Sequence, residues 1–257
     1  MSSDTERQGG DLHSRSMPEK PRLLLVPSMS ELEWGRILPL LEEWAEVATY
    51  DLLGLGETES SQPLDVASSV AFGVEELERR AWSTAIIVGD QFGSALAVLV
   101  AEAWGGHVRG LALGHACLTF TRDGPRPAIS AIAADFQLQL TRLGRAQADQ
   151  MFLQGVEMTY GADVAEGIRA RLSPNFTQQY AQLLLDNQEI DLEPRLRGLG
   201  VPLLFAQHKE CGLWMPEGFE DAVAAFPDAR TLVTEENPGS SEEFAAELRE
   251  FATAVWS

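Results

Sequence analysis

Short apolar runs that end in small or polar residues alternate along the chain with segments whose apolar positions recur at helical spacing. That alternation is the pattern of a mostly parallel sheet covered by helices on both faces. The runs predict strands at Leu23–Val26, Val47–Asp51, Ala85–Val88, Gly110–Leu113, Pro202–Ala206 and Arg230–Val233. Between them, Trp34–Trp44, Val66–Ala81, Ser94–Trp104, Glu217–Phe226 and Ser241–Val255 read as amphipathic helices. The rhythm breaks from about 122 to 195, a stretch of helix formers with no convincing strand that carries Phe136, Leu140, Met151, Phe152, Met158, Tyr160, Phe176 and Tyr180. Inserted between two sheet strands, it predicts a helical cap over the strand ends, where open α/β sheets bind ligands. The expected organisation is a disordered tail at 1–20, a core at 21–121 and 196–257, and a helical cap at 122–195.

Three segments, in order, carry a family likeness. The first is LLLVPSMSELEWGRILPLL, a strand, a loop and a helix that includes Trp34. The second is VATYDLLGLGET, in which Asp51, Gly54, Gly56 and Thr58 follow a D-x-x-G-x-G-x-S pattern closely. The third, AIIVGDQFGSALAVLVAEAW, is a strand, a tight turn and a helix, with Gly89 and Gly93 flanking the turn as the glycines of G-x-S-x-G do. Together these segments resemble the α/β-hydrolase family, from about residue 21 to the C-terminus and most weakly in the cap. The resemblance implies an α/β-hydrolase fold, a mostly parallel twisted sheet with helices on both faces and a helical cap insertion.

At the positions where that family keeps its catalytic groups, this sequence departs from it. Gln91 stands where the nucleophilic serine belongs, and a carboxamide has no ionisable proton to give up. The segment VPLLFAQHKECGLW places His208 and Cys211 where the family has the glycine and aspartate of G-x-x-D. Near the C-terminus the chain reads LVTEENPGSSEEF, and no histidine follows His208. The usual His-Gly of the oxyanion loop is replaced by Pro27-Ser28. Ser94, in the first turn of the following helix, and Ser28 or Ser30, without an evident base, are poor replacements. These departures predict a site without Ser-His-Asp chemistry and exclude a conventional serine hydrolase.

The pocket need not be empty for that. The candidate catalytic groups are Gln91 at the tip of the turn, able to donate and accept hydrogen bonds, with Asp90 before it and His115 and His208 at strand ends. Asp90 can equally hold nearby loop backbone, and either histidine can be structural. Ser28, Met29, Trp34, Phe92, Phe136, Met151, Phe152 and Cys211 are the candidate substrate-binding residues, and the Phe92 N–H at the helix start is a candidate donor to a developing oxyanion.

Composition narrows the partners. The chain has 257 residues, with 39 acidic against 19 basic side chains and a formal charge of −20 spread along its length. That balance argues against nucleic acid and anionic membrane. No run approaches the roughly 20 apolar residues of a membrane helix, and MSSDTERQGGDLHSRSMPEK is not signal-like, so a cytoplasmic protein is expected. Cys117 and Cys211 lack the spacing of a disulfide framework or a zinc site, and no metal or cofactor is implied. The expected partner is a small molecule, with room for a homodimer.

Two function classes follow. In one, a capped apolar pocket folds and polarises a small organic molecule, as a cofactor-independent cyclase, isomerase or lyase of bacterial specialised metabolism. In the other, a pseudo-hydrolase binds a ligand or a partner protein. The first is carried forward, because Gln91, Asp90 and His208 put polar groups where a scaffold would tolerate apolar filler.

Overall fold

The computed structural model describes residues 20–55, 63–104, 108–116, 118, 138–187, 190–209 and 216–256. Among them a six-stranded sheet runs in the order β2-β1-β3-β4-β5-β6, and every pairing is parallel. The strands are β1 (Arg22–Val26), β2 (Glu46–Ala48), β3 (Ala85–Asp90), β4 (Val108–Gly114), β5 (Leu203–His208) and β6 (Arg230–Thr234). All six predicted strands are present. The second is shorter than the expected Val47–Asp51 because the chain leaves the sheet after Ala48 to fold against the loop after β1. There the Leu52 N–H donates to the Met29 carbonyl.

The helices are α1 (Leu38–Glu42), α2 (Val66–Arg79), α3 (Phe92–Trp104), α4 (Arg145–Tyr160), α5 (Ala162–Arg169), α6 (Phe176–Asn187), α7 (Glu193–Leu199), α8 (Pro216–Ala225) and α9 (Glu242–Trp256). The expected helix Trp34–Trp44 is not continuous. A 3-10 turn at Glu31–Trp34 precedes α1, with Gly35 and Pro39 between and at the break. Proline is tolerated only in a first turn, and Pro39 therefore starts α1 rather than continuing a longer helix.

Side-chain alternation splits the core in two. Leu24, Val26, Ile87, Leu111, Leu113 and Phe205 face α2, α3 and the cap side. Leu23, Leu25, Ile86, Val88, Leu204 and Ala206 face α1 and α9 with Trp34, Phe244 and Phe251. A sheet buried on both faces needs continuous apolar strands, which is why β3 is buried at every position and α3 carries little polar surface.

Helices α4, α5 and α6 lie between β4 and β5 in the chain, where the cap was expected. They are fastened to the core. Leu172 bridges Leu55, the Ser173 N–H donates to the Gly54 carbonyl, and Arg171 Nη1 lies 2.8 Å from Asp51 Oδ2 and 3.2 Å from Glu31 Oε1.

Candidate active site

Strand order reverses between β1 and β3: from β1 the chain moves outward to β2, then returns past β1 to β3 and continues to the other edge. In an open parallel sheet this switch point leaves a crevice beyond the carboxyl ends of the strands. The loop after β1 (Pro27–Ser30) and the turn from β3 into α3 meet there. The turn is very tight. A Cβ at Gly89 would collide with the Gly93 backbone, and a Cβ at Gly93 with the Val26 carbonyl oxygen. Gln91, between them, is held at φ 51°, a left-handed conformation that side chains other than glycine rarely adopt. Strain of this kind persists only where the surroundings impose it, and it concentrates at functional sites.

Several bonds impose it here. The Gln91 N–H donates to Asp90 Oδ1 at 2.9 Å and to the Gly114 carbonyl at 3.0 Å. Ser28 Oγ donates to the Asp90 carbonyl at 2.7 Å and accepts from the Gly93 N–H at 3.3 Å. The Gln91 carboxamide, half-buried, bonds to none of the described residues. The Phe92 N–H opens α3, where first-turn amides lack intrahelical partners.

Asp90 and His115 come together beneath the turn. His115 Nδ1 lies 2.7 Å from Asp90 Oδ1, and both side chains are buried. His115 Nε2 accepts the His208 N–H at 3.3 Å, which leaves the ring proton on Nδ1, donated to Asp90. Asp90 Oδ2 accepts from the Gly239 N–H at 3.2 Å. The pair thus ties β3, β4, β5 and the loop after β6 into one knot. His208 is half-buried at the end of β5 on the same sheet edge, and its ring makes no hydrogen bond among the described residues.

The substrate-binding candidates divide. Ser28 and Met29 are buried in the loop after β1. Phe92 and Phe152 join Phe176 and Tyr180 in an aromatic cluster where α3 meets the cap, with Phe176 stacked on Tyr180 at 5.5 Å and Tyr180 edge-on to Phe92 at 6.2 Å. Trp34 is fully buried in the core on the other face of the sheet, near Gly239. Met151 packs with Leu140, Ala148 and Ala181 inside the cap. Phe136 and Cys211 lie outside the described residues. Ser94 Oγ donates to the Gly114 carbonyl at 2.6 Å and is buried, so it does not face the crevice.

Glu33 and Tyr160 lie against the loop after β1 and were not among the candidates. The Glu33 carboxylate accepts from the N–H groups of Ser28 at 2.9 Å, Met29 at 2.7 Å and Ser30 at 2.9 Å. It completes a capping box with Ser30. The S-x-x-E spacing of Ser30 and Glu33 was the signal that could have found it. Burial pushes Glu33 up to about 8, against the pull of those three N–H groups. Tyr160, the last residue of α4, brings to the same loop a buried hydroxyl that has no hydrogen-bond partner among the described residues.

No protein-family model matches the sequence, and no curated protein does. Solved structures do match, across nearly the whole chain. A hydrolase from Oleispira antarctica superposes with a TM-score of 0.75 at 14% identity, covering 91% of each chain. The fold is that of the α/β-hydrolases. A thermophilic esterase from Thermogutta terrifontis, solved with malate bound, has a TM-score of 0.71 at 18% identity, covering 93% of this chain and 92% of its own. An enol-lactonase from Burkholderia xenovorans has a TM-score of 0.70 at 16% identity, with 93% and 92% covered.

These neighbours correct the functional expectation. From the sequence a non-hydrolytic cyclase, isomerase or lyase was expected, or else a pseudo-hydrolase, whereas the proteins that share this α/β-hydrolase architecture are a hydrolase, an esterase and an enol-lactonase. The error lay in one step. Gln91 removes a serine nucleophile, but hydrolysis needs a polarised carbonyl and a positioned water, and neither requires serine. Among the described residues no helix is long and apolar enough to cross a membrane, and no cluster of metal-ligating side chains occurs.

Proposed function

We propose that this α/β-hydrolase-fold chain hydrolyses small, neutral, largely apolar esters or lactones by direct addition of water, without a Ser-His-Asp triad. The observation that carries the reading is Gln91, a strained non-glycine residue at φ 51° at the switch point of the sheet, whose carboxamide bonds to none of the described residues. Nothing in the packing requires a side chain in that conformation, so its presence is best accounted for by a ligand.

In this reading the Gln91 amide and the Phe92 N–H donate to the carbonyl oxygen, where negative charge develops. A water oxygen forms a bond to the carbonyl carbon while His208 takes the water proton. The bond from carbon to the alkoxy oxygen then breaks, and that proton passes to the departing oxygen, giving an acid and an alcohol. Asp90 and His115, whose polar atoms are already engaged beneath the turn, act as positioning residues. The aromatic cluster of Phe92, Phe152, Phe176 and Tyr180 favours an apolar acyl group.

The test is turnover of a panel of short-chain p-nitrophenyl esters and aliphatic lactones before and after treatment with a fluorophosphonate. Turnover that survives the treatment is expected. No turnover across the panel, or loss of activity with labelling of a serine, overturns the reading.

A further inference from the structure

The loop after β1 lies beside the Gln91 turn, and the backbone N–H groups of Ser28, Met29 and Ser30 are all bonded to Glu33. An ester oxygen arriving there would find the loop's donors occupied by the protein's own carboxylate. Close to the same loop stands Tyr160. Its hydroxyl is buried and has no hydrogen-bond partner among the described residues, a condition that is costly when nothing compensates it. It stands within electrostatic reach of Glu33, Asp90 and Tyr180 and beside the Ser28 hydroxyl, without a hydrogen bond of normal geometry to any of them. Ser28 Oγ is already engaged with the Asp90 carbonyl and the Gly93 N–H.

The hydroxyl is held in place from behind. Asn237 Nδ2 donates to the Thr159 carbonyl at 2.8 Å, fixing the end of α4 to the loop that carries Gly239, and Gly161 at φ 95° turns the chain away directly after Tyr160. Burial, and the negative groups around it, keep the phenol protonated. Among the described residues it has no acceptor at hydrogen-bonding geometry, and it adjoins a loop whose donors are used.

We propose that the Tyr160 hydroxyl, supplied by the cap, donates a hydrogen bond to the carbonyl oxygen of a bound neutral ester-class ligand, replacing the loop N–H groups that Glu33 occupies. The proposal deepens the hydrolase reading and rests on it for the identity of the ligand. It assigns the cap a direct part in recognition, and a ligand that seats only when the end of α4 is in place.

The test compares the full chain with Tyr160→Phe, using an alkyl trifluoromethyl ketone as a neutral carbonyl probe observed by fluorine NMR, with ester turnover and thermal unfolding in parallel. Removing a hydroxyl that has no hydrogen-bond partner among the described residues should leave the melting temperature unchanged or raise it, while the ketone binds at least 10-fold more weakly. That result supports the donor role whether or not esters are turned over; absence of turnover in the parent chain counts against the hydrolase reading alone. Equal ketone binding by the two proteins, or no binding by the parent chain, overturns the Tyr160 assignment. So does a fall of several degrees in melting temperature, since it would mean that the hydroxyl has a partner inside the fold.

Discussion

His115 Nδ1 donates to Asp90 Oδ1 across 2.7 Å, in a pair buried directly beneath the strained Gln91 turn. A histidine and a carboxylate so close to an elbow invite assignment as an acid–base couple. Their remaining atoms argue otherwise, because His115 Nε2 takes the His208 N–H and Asp90 Oδ2 takes the Gly239 N–H. The pair works as a fastener for loops from four parts of the sheet edge, and it holds the Gln91 turn in place.

Asp90→Ala should therefore be primarily a stability mutation. It leaves the His115 ring N–H and the backbone N–H groups of Gln91 and Gly239 without their carboxylate, in a buried site. Removing one partner from such a buried network costs about 3–5 kcal/mol. Urea unfolding checks it, and a loss below about 1 kcal/mol would show that the knot does not hold the turn.

Gln91→Gly separates strain from function. Glycine adopts φ 51° without the steric cost that a side chain bears there, so stability should rise by about 0.5–1 kcal/mol. Turnover should fall at the same time, because the carboxamide is gone. A variant that is both more stable and less active is the signature of strain retained for function. Thermal unfolding and ester hydrolysis on the same preparation provide the comparison.

Glu33 predicts a pH dependence. Its pKa is raised from 4.5 to about 8 in the folded chain, so the folded state holds a proton that the unfolded state gives up. The stabilisation from this group is complete below pH 4.5 and is lost as the pH rises towards 8. Glu33→Gln cannot titrate and should show a flatter melting-temperature profile between pH 5 and 8 than the parent chain. Parallel profiles for the two proteins would mean that the three N–H bonds from Ser28, Met29 and Ser30 outweigh desolvation.

Much of this was legible in the sequence, for physical reasons that also mark where legibility ends. Apolar runs such as Ala85–Val88 and Leu23–Val26 read as strands because a sheet buried on both faces leaves no room for polar alternation. Gly89 and Gly93 announced the tight turn because no side chain fits at either place. Gln91 could be located by its neighbours in the chain. The relation of Tyr160 to Ser28 could not, since a hydroxyl 132 positions away is brought to the loop only by how the cap folds back. Glu33 was written in the capping-box spacing, yet its grip on three N–H groups depends on a loop conformation that spacing alone does not define.

Arg171→Ala probes the fastening of the cap. The guanidinium reaches Asp51 and Glu31 from a partly exposed position, so its removal should cost only about 0.5–1 kcal/mol. That loss falls on the attachment of α4, α5 and α6 rather than on the sheet. Thermolysin should cleave between 138 and 187 a few-fold faster, with the melting temperature nearly unchanged. Unchanged cleavage would place the hold elsewhere, on the Leu55–Leu172 bridge and the Ser173–Gly54 bond.

A carbonyl substrate at Gln91 makes its side chain the group to remove. The most direct measurement is kcat/KM for the best ester or lactone of the panel, in the parent chain and in Gln91→Ala, with thermal unfolding showing that the variant is folded. Losing one hydrogen bond made to a desolvated, developing charge should lower kcat/KM by roughly 10- to 100-fold, equivalent to about 1–3 kcal/mol, with little change in melting temperature. Equal kcat/KM for the two proteins, or a parent chain that hydrolyses none of the panel, would contradict the account.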